Sequence, residues 1–197
     1  MSVDIEQLLG ESLGYRDRVP LDCEPLAAPL DDAQLLRLAE RNVTALRAAA
    51  VLEDRHPGPE DQSGLEGEVA RLEIKVDLLI DLMSAVMSLQ QPPPAAHEVT
   101  MTSTAVAWVE AGREFAVGET YMLSLFPYRS PPQSLQWPVR IECVVGDAGG
   151  HRVGARFAAM PEAMAHQVER LVFRRHRRRI ADERQARQRS SSEARPD

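Results

Sequence analysis

The sequence predicts an α+β fold, in which a β-rich region follows two long helices and precedes a closing helix. Residues 97–160 carry runs of β-branched and aromatic residues interrupted by glycine and proline, which is typical of consecutive strands. Residues 31–96 instead place apolar residues at steps of three and four, the period of an α-helix. An apolar stripe after Pro161 predicts a C-terminal helix with one side packed on the sheet.

Residues 1–30 predict a short helix followed by the first strand. Ile5 to Leu9 is a short amphipathic run. Apolar and other residues then alternate, as in a strand with one buried face: Val19, Leu21 and Cys23 alternate with Pro20, Asp22 and Glu24. Two prolines interrupt this run and cannot donate to a sheet ladder, so we expect a short strand or an edge strand.

Residues 31–96 predict an inserted helical hairpin. Asp31 and Asp32 can serve as N-caps for a helix over 31–54. Two prolines and two glycines within 56–64 end that helix. A second helix follows from Leu65 to Leu89 before a run of three prolines, and we expect the two helices to pair in an antiparallel arrangement.

The second helix carries a heptad pattern that predicts self-association. All its a and d positions are apolar over about three heptads, as in a coiled-coil seam: Leu65, Val69, Leu72, Val76, Leu79, Met83 and Val86. The flanking e and g positions are charged in the first half of the helix and apolar in the second. We therefore expect a homo-oligomer, a dimer or a tetramer, formed through helices 31–54 and 65–90. Packing of the hairpin within a monomer is the alternative.

Four strand-like runs make up the β-rich region: 99–109, 120–128, 137–145 and 151–157. The segment 146–150, GDAGG, predicts a hairpin between the last two. Four apolar residues then form the core-facing side of the closing helix: Met164, Val168, Leu171 and Val172. The polar composition of 181–197 predicts a disordered tail.

The distribution of charge limits the classes of partner. The formal net charge of -7 excludes a protein whose whole surface binds nucleic acid. Residues 170–189 nevertheless hold nine arginines against two acidic residues. We interpret this cluster as a solvated helix end, with binding to an acidic partner or to the insertion's own acidic helices as the second reading. Nucleic acid or anionic lipid is the third reading, and the sequence disfavours nucleic acid because only Phe173 lies nearby to stack on bases.

Motifs for catalysis are absent from the sequence. The five histidines form no metal-ligand pair, and there is no phosphate-binding glycine loop or nucleophile motif. Cys23 and Cys143 fall in strand-like runs, where a buried structural thiol is the expected reading. No apolar stretch is long enough to span a membrane. We therefore expect a cytoplasmic protein that is not an enzyme and holds no metal.

The order of these elements resembles a PilZ domain. The carrying features are a strand near 18–26, a Leu-rich strand after Gly118, and the hairpin 137–157, which ends in Val153, Gly154 and Phe157 as in the family's Val-Gly-x-x-Phe pattern. The resemblance covers residues 14–30 and 97–180. It implies an antiparallel β-barrel with a C-terminal helix, in which 31–96 is inserted between the first two strands.

The resemblance also implies a site for cyclic di-GMP. In the family an Arg-x-x-x-Arg motif and an Asp/Asn-x-Ser-x-x-Gly motif bind this nucleotide, because guanidinium groups donate to phosphates and stack on guanine. Arg18 matches the second arginine, Arg16 lies near the first without being in register, and Ser103 matches the serine. These three residues are the expected nucleotide-binding set.

The remaining motif positions depart from the family. The first arginine position falls on Gly14, the acidic position on Met101 and the glycine position on Val106. We therefore expect a degenerate site with no cofactor, cyclic di-GMP being possible but disfavoured.

The resulting functional prediction is a non-enzymatic signalling adaptor that homo-oligomerises through its heptad helices and acts on another signalling protein. One alternative is a functional cyclic di-GMP receptor with a non-standard arginine site. A weaker alternative is a nucleic-acid binder that uses the Arg-rich C-terminal helix.

Overall fold

The structure, a computed structural model, describes residues 4–10, 13–53, 65–90, 92–128, 134–147 and 150–193. Its elements are, in order, α1 (Ile5–Leu9), β1 (Gly14–Pro25), α2 (Asp32–Glu53), α3 (Leu65–Gln90), β2 (Ala96–Thr102), β3 (Ala105–Glu110), β4 (Thr120–Leu125), β5 (Leu135–Asp147), β6 (Gly150–Phe157) and α4 (Glu162–Glu193). The six strands form a closed antiparallel barrel in the order β1-β2-β3-β6-β5-β4. The α+β class and the barrel that the resemblance implied are both confirmed.

β1 closes the barrel because it is long enough to pair with two strands. Its first part, from Gly14 to Pro20, pairs with β2, and its second part, from Leu21 to Pro25, pairs with β4. The expectation of a short or edge strand is therefore wrong. Pro20 is tolerated because its missing N–H falls at the corner where β1 changes partner.

The run 99–109 forms two strands instead of one, because the chain turns at Ser103 and Thr104. The hydroxyl of Thr102 accepts hydrogen bonds from the backbone N–H of Ala105 at 3.0 Å and of Thr104 at 3.3 Å. A threonine hydroxyl that bonds to the backbone in this way stabilises a tight turn. The hairpin predicted at 146–150 is confirmed, since Asp147 of β5 pairs with Gly150 of β6.

The core fills the barrel and extends onto α4. Trp108 and Trp137 are among its largest fully buried side chains. The predicted apolar face of α4 belongs to the same buried cluster: Met164, Val168, Leu171 and Val172. This burial is what fixes α4 against the barrel.

The helix α4 also extends further than the sequence predicted. It continues to Glu193, so the expectation of disorder from 181 is wrong up to that residue, and 194–197 lie outside the described residues. Alanine, arginine, glutamate and glutamine are good helix formers. Arg179 and Glu183 also form an ion pair at 3.5 Å one turn apart, which supports a helix.

The helix α2 packs on α4 and β5, whereas the expected pairing with α3 is not among the main packings of the described elements. Its start is fixed by a capping box, because Gln34 N–H donates to Asp31 Oδ1 at 2.7 Å and Asp31 N–H donates to Gln34 Oε1 at 2.9 Å. The buried Asn42 then bonds to both backbone groups of Gln136, at 2.5 and 3.0 Å. These two bonds tie α2 to the start of β5, which leaves less of α2 available to cover α3.

The small helix α1 packs on the outside of the barrel over Gly154. Ile5 and Leu8 of α1 are buried there in a second small cluster with Ala105, Ala107 and Cys143. A Cβ atom at Gly154 would lie 2.6 Å from Cys143 Sγ and 2.7 Å from Leu8 Cδ2. The glycine of the Val-Gly-x-x-Phe pattern is therefore needed here for the close approach of α1.

Gly154→Ala is expected to lower the free energy of unfolding by about 1–3 kcal/mol, the usual cost of overpacking a close contact. The added methyl group must displace either Cys143 or α1. Denaturant titration measures the change. Gly112→Ala is the matched control, because a Cβ there meets no heavy atom within 4 Å. Equal stability of the two variants would contradict this account of Gly154.

Among the described residues, no helix is long and apolar enough to cross a membrane.

Candidate functional site: a mixed-charge cleft and an exposed helix

A cleft of about 880 Å³ lies beside the outer face of β1 and β2. Arg16 and Arg18 line it from β1, and Arg179 lines it from α4. Residues two apart on a strand share a face, and both strand arginines are exposed whereas Val19 is buried. The two predicted arginines are thus brought together on the solvent side of the barrel, with a third from the other end of the chain.

The charges of this cleft are balanced. Among the described residues, its lining contains three guanidinium groups, from Arg16, Arg18 and Arg179, and three carboxylates, from Asp17, Glu98 and Glu110. His97 is the other titratable side chain of this described lining. A compact dianion would therefore meet acidic groups among its cationic partners.

Several of these groups are already engaged within the protein. Arg16 forms an ion pair with Glu98 of the neighbouring strand. Arg179 pairs with Glu183 on its own helix. Arg18 makes no ion pair with a described residue, although its backbone N–H donates to Asp17 Oδ1 at 2.8 Å. Arg18 is therefore the arginine most available to a ligand.

Two residues of α4 anchor the helix beside the cleft. Nη2 of Arg175 donates to the carbonyl oxygen of Pro127 at 2.8 Å, and Nη1 lies 3.5 Å from Asp17 Oδ2. The same guanidinium lies 5.1 Å from the centroid of the Tyr128 ring. His176 Nδ1 donates to the carbonyl oxygen of Gly14 at 2.9 Å. The position expected to hold the first motif arginine is thus a backbone contact of α4.

The structure separates Ser103 from the two arginines. Ser103 lies in the turn between β2 and β3 and does not line the cleft. Arg18 pairs with Glu98, near the opposite end of β2. At about 3.3 Å per residue, Ser103 is roughly five strand positions, on the order of 16 Å, from this pair.

The other two motif positions lie inside the barrel. Met101 and Val106 face each other across β2 and β3, and their exposed fractions are 1% and 0%. The hydroxyl of Tyr15 donates to Met101 Sδ at 3.5 Å. Burial raises the pKa of Tyr15 far above its ordinary value, although nearby Arg175 opposes the shift. An acidic group at position 101 would therefore enter an apolar core.

Sequence reasoning missed Arg179 and Glu98 as parts of the cleft. Arg179 was one of several arginines in its cluster, and no local pattern says which of them meets β1. Glu98 is a cross-strand neighbour of the arginines, which only the strand register reveals. The pairing register of β1 with β2 could not be predicted from the sequence, because residues 31–96 separate the two strands.

Both cysteines are buried free thiols. Burial raises the pKa of Cys23 to about 12, despite the opposing effect of Arg113. Burial also raises the pKa of Cys143, with Asp4 contributing in the same direction. Because the thiolate is the reactive form, neither thiol is activated as a nucleophile at neutral pH.

The predicted seam of α3 faces solvent in the single chain. Exposed fractions on this seam range from 38% to 65% for Val69, Leu72, Val76, Leu79, Met83 and Val86. Leu65 begins the helix, but its side chain lies outside the described residues. Five further apolar side chains of α3 are also exposed: Ile74, Leu78, Leu82, Met87 and Leu89.

The face of α3 that is covered within the single chain is not the face that carries the seam. Only Asp77, Ile80 and Ser84 are partly or fully buried among the described side chains of the helix. At about 100° per residue, these three share one face, and the exposed apolar residues occupy an arc of about 220° on the rest of the surface. The intramolecular cover that was expected from α2 is therefore absent from the described part of the seam.

A family model described as "Atypical PilZ domain, cyclic di-GMP receptor" matches residues 46–185. This range contains α3, β2 to β6 and most of α4, but it does not contain β1 or the arginines at 16 and 18. No curated protein matches the chain.

A solved structure shares the fold. A protein from Xanthomonas campestris, described as a tetrameric PilZ domain that self-assembles through a helical bundle, is 24% identical, with a TM-score of 0.71. The match covers 89% of this chain and 94% of that chain. An inhibitor of motility from Bacillus subtilis is 13% identical over 41% of each chain, and its TM-score of 0.35 is too low to add to the comparison. With the family model matching more than half of its length, the chain belongs to the atypical PilZ domain family.

Proposed function

We propose that this protein is a non-enzymatic signalling adaptor of the cytoplasm. In this proposal α3 assembles copies of the chain, and the barrel retains only a degenerate site for cyclic di-GMP. The buried, protonated thiols of Cys23 and Cys143 support a role without covalent catalysis.

The exposed face of α3 is the observation that carries the assembly. Among the described side chains of this helix, eleven large apolar ones are exposed in the single chain. Burying an apolar side chain contributes roughly 1.5–3 kcal/mol, so leaving this face in water forgoes a large stabilisation. A single partner helix covers only a narrow seam, whereas the exposed apolar arc extends over more than half of the circumference of α3. This width favours a tetramer over a dimer, as in the tetrameric helical bundle described for the Xanthomonas protein.

The cleft supports the degenerate site. Its guanidinium groups are matched by carboxylates, Arg16 is paired with Glu98, and Ser103 lies away from it. The acidic and glycine positions of the second motif are occupied by buried core residues. A nucleotide would therefore have to displace internal ion pairs without gaining the second motif.

Titration with cyclic di-GMP is expected to give no saturable binding at micromolar concentrations. Isothermal calorimetry on the wild-type chain measures this directly. A saturable isotherm with a Kd near 1 μM, or about -8 kcal/mol, would contradict the degenerate site. Sedimentation of the same sample tests the assembly separately.

A functional receptor with a non-standard site is the second candidate. It is favoured by Arg179, which joins Arg16 and Arg18 in the cleft as a third cation. Its signature would be a cyclic di-GMP isotherm that weakens in an Arg16→Ser, Arg18→Ser double variant. If the site is degenerate, neither the wild type nor this variant gives a saturable isotherm.

A further inference from the structure

We propose that the outer face of α4 binds an acidic amphipathic helix of a partner protein. The proposal rests on the adaptor function and names the chemistry of the partner. The inner face of α4 packs on the barrel through Met164, Val168 and Leu171, which belong to the buried core. The outer face lies on the opposite side of the helix, at about 100° per residue.

Three arginines follow one line along this outer face. Arg170, Arg177 and Arg184 are exposed, and each is seven residues from the next. Successive positions are therefore about 10.5 Å apart, and all three lie within about 40° of one another around the helix. None of them forms an ion pair with a described residue. The line carries three positive charges without a carboxylate partner in the described part of the chain.

Apolar side chains lie beside the arginine line. When the three arginines are taken as the a positions of a heptad, the d positions hold His166, Phe173 and Ile180. Phe173 is 51% exposed, and the guanidinium of Arg177 lies 5.8 Å from the centroid of its ring. Exposed aromatic rings and arginines are the residue types that dominate protein interfaces. The outer face therefore offers an apolar contact between charged ones.

The carboxylates nearest in sequence lie at one edge of this face. Glu169 and Glu183 are about 80° and 120° around the helix from the centre of the arginine line. Glu183 is also paired with Arg179, which is on the barrel side of α4. The positive charge of the outer face is therefore not balanced in the way that the charge of the cleft is.

The seven-residue repeat favours a helix as the occupant. Acidic residues seven apart on a second helix repeat at the same distance of about 10.5 Å, so they can meet all three arginines at once. A second copy of α4 would bring three more arginines to the same contact, which like-charge repulsion opposes. A helix that lies in a membrane surface needs a broad apolar side, and Phe173 alone does not provide one.

Fluorescence anisotropy of a labelled helical peptide tests the proposal on the full chain. The peptide spans about three heptads, with glutamate at every a position, leucine at every d position, and alanine, glutamine and lysine elsewhere. Saturable binding is expected, with weaker binding at higher salt. A control peptide of the same composition, in which the glutamates do not share a face, should bind at least about tenfold more weakly.

Variants of α4 locate the contact. Arg177→Gln, Arg184→Gln should weaken binding of the peptide about tenfold, the loss expected for two exposed charge contacts, and glutamine preserves the helix. Phe173→Ala should also weaken binding, whereas attraction by charge alone would leave it unchanged. The matched control is Arg37→Gln, Arg41→Gln, which removes two exposed arginines of α2 and should bind as the wild type does.

Any of four results would overturn the proposal. These are no saturable binding of the glutamate peptide, equal binding of the two peptides, equal weakening by the two double variants, or tighter binding of duplex DNA or phosphatidylglycerol vesicles that depends on Arg177 and Arg184. The proposed function fails by different measurements, namely a cyclic di-GMP isotherm or a monomeric wild type. A monomeric chain that still binds the peptide through the outer face of α4 would refute the assembly and leave this inference standing.

Discussion

Changing Leu79 to glutamate is expected to dissociate the proposed assembly into monomers while the barrel stays folded. Leu79 is 59% exposed in the single chain, so the substitution costs little stability within one protomer. In a helical bundle the same position becomes a core position, where an unpaired carboxylate costs about 3–5 kcal/mol. Each protomer of the assembly would contribute one such charge. The sedimentation mass at tens of micromolar should therefore fall from that of an oligomer to that of a monomer.

The control for Leu79→Glu is the same chemical change on another helix. Leu36 of α2 is 57% exposed, so Leu36→Glu adds an equal charge without touching α3. Near-ultraviolet circular dichroism reports the barrel, because Trp108 and Trp137 are both buried inside it. A wild-type chain that sediments as a monomer would refute the assembly. So would a Leu79→Glu variant that keeps the oligomeric mass with unchanged stability.

The features that could be predicted from the sequence are the local ones. The period of α3, its seam from Val69 to Val86 and the hairpin around 146–150 all depend on neighbouring residues, and the structure has the helix and the hairpin there. The barrel was implied by a resemblance in the order of elements. No local sequence pattern predicts that the barrel closes, because closure depends on β1 pairing with both β2 and β4.

The features that could not be predicted join distant parts of the chain. Asn42 bonds to Gln136, and Arg179 meets Arg16 and Arg18. The sequence does not indicate the partner of an asparagine or an arginine on a helix, since many polar residues occupy exposed helix positions. The helix α2 was expected to cover α3 because the two are adjacent in sequence. Its buried residues, including Ala39 and Leu46, instead join the barrel core.

The location of Met101 could have been anticipated. Val99 and Met101 alternate with Glu98 and Thr100 along β2, and residues two apart on a strand share a face. Two large apolar residues at alternate positions indicate the inner face of a barrel. The family motif has an acidic ligand-binding residue at position 101, whereas strand alternation places this position in the core.

Met101→Asp is expected to destabilise the barrel without creating nucleotide binding. Met101 is 1% exposed and lies opposite the fully buried Val106, so the carboxylate would replace an apolar side chain within the core. A buried charge without a partner costs about 3–5 kcal/mol, and the whole stability of a domain is only about 5–15 kcal/mol. Denaturant titration should show this loss, and calorimetry should show no cyclic di-GMP isotherm.

Two comparison variants isolate the reason for the expected loss. Thr100→Asp places the same carboxylate one residue earlier on the outer face, opposite Arg16, and should leave stability within about 0.5 kcal/mol of the wild type. Met101→Asn removes the charge at nearly the same size. Burial raises the pKa of a carboxyl group, so the aspartate is neutralised as the pH falls and its penalty shrinks. The stability difference between Met101→Asp and Met101→Asn should therefore be larger at pH 8 than at pH 5. A Met101→Asp chain as stable as the wild type at pH 8 would show that position 101 is not a core position.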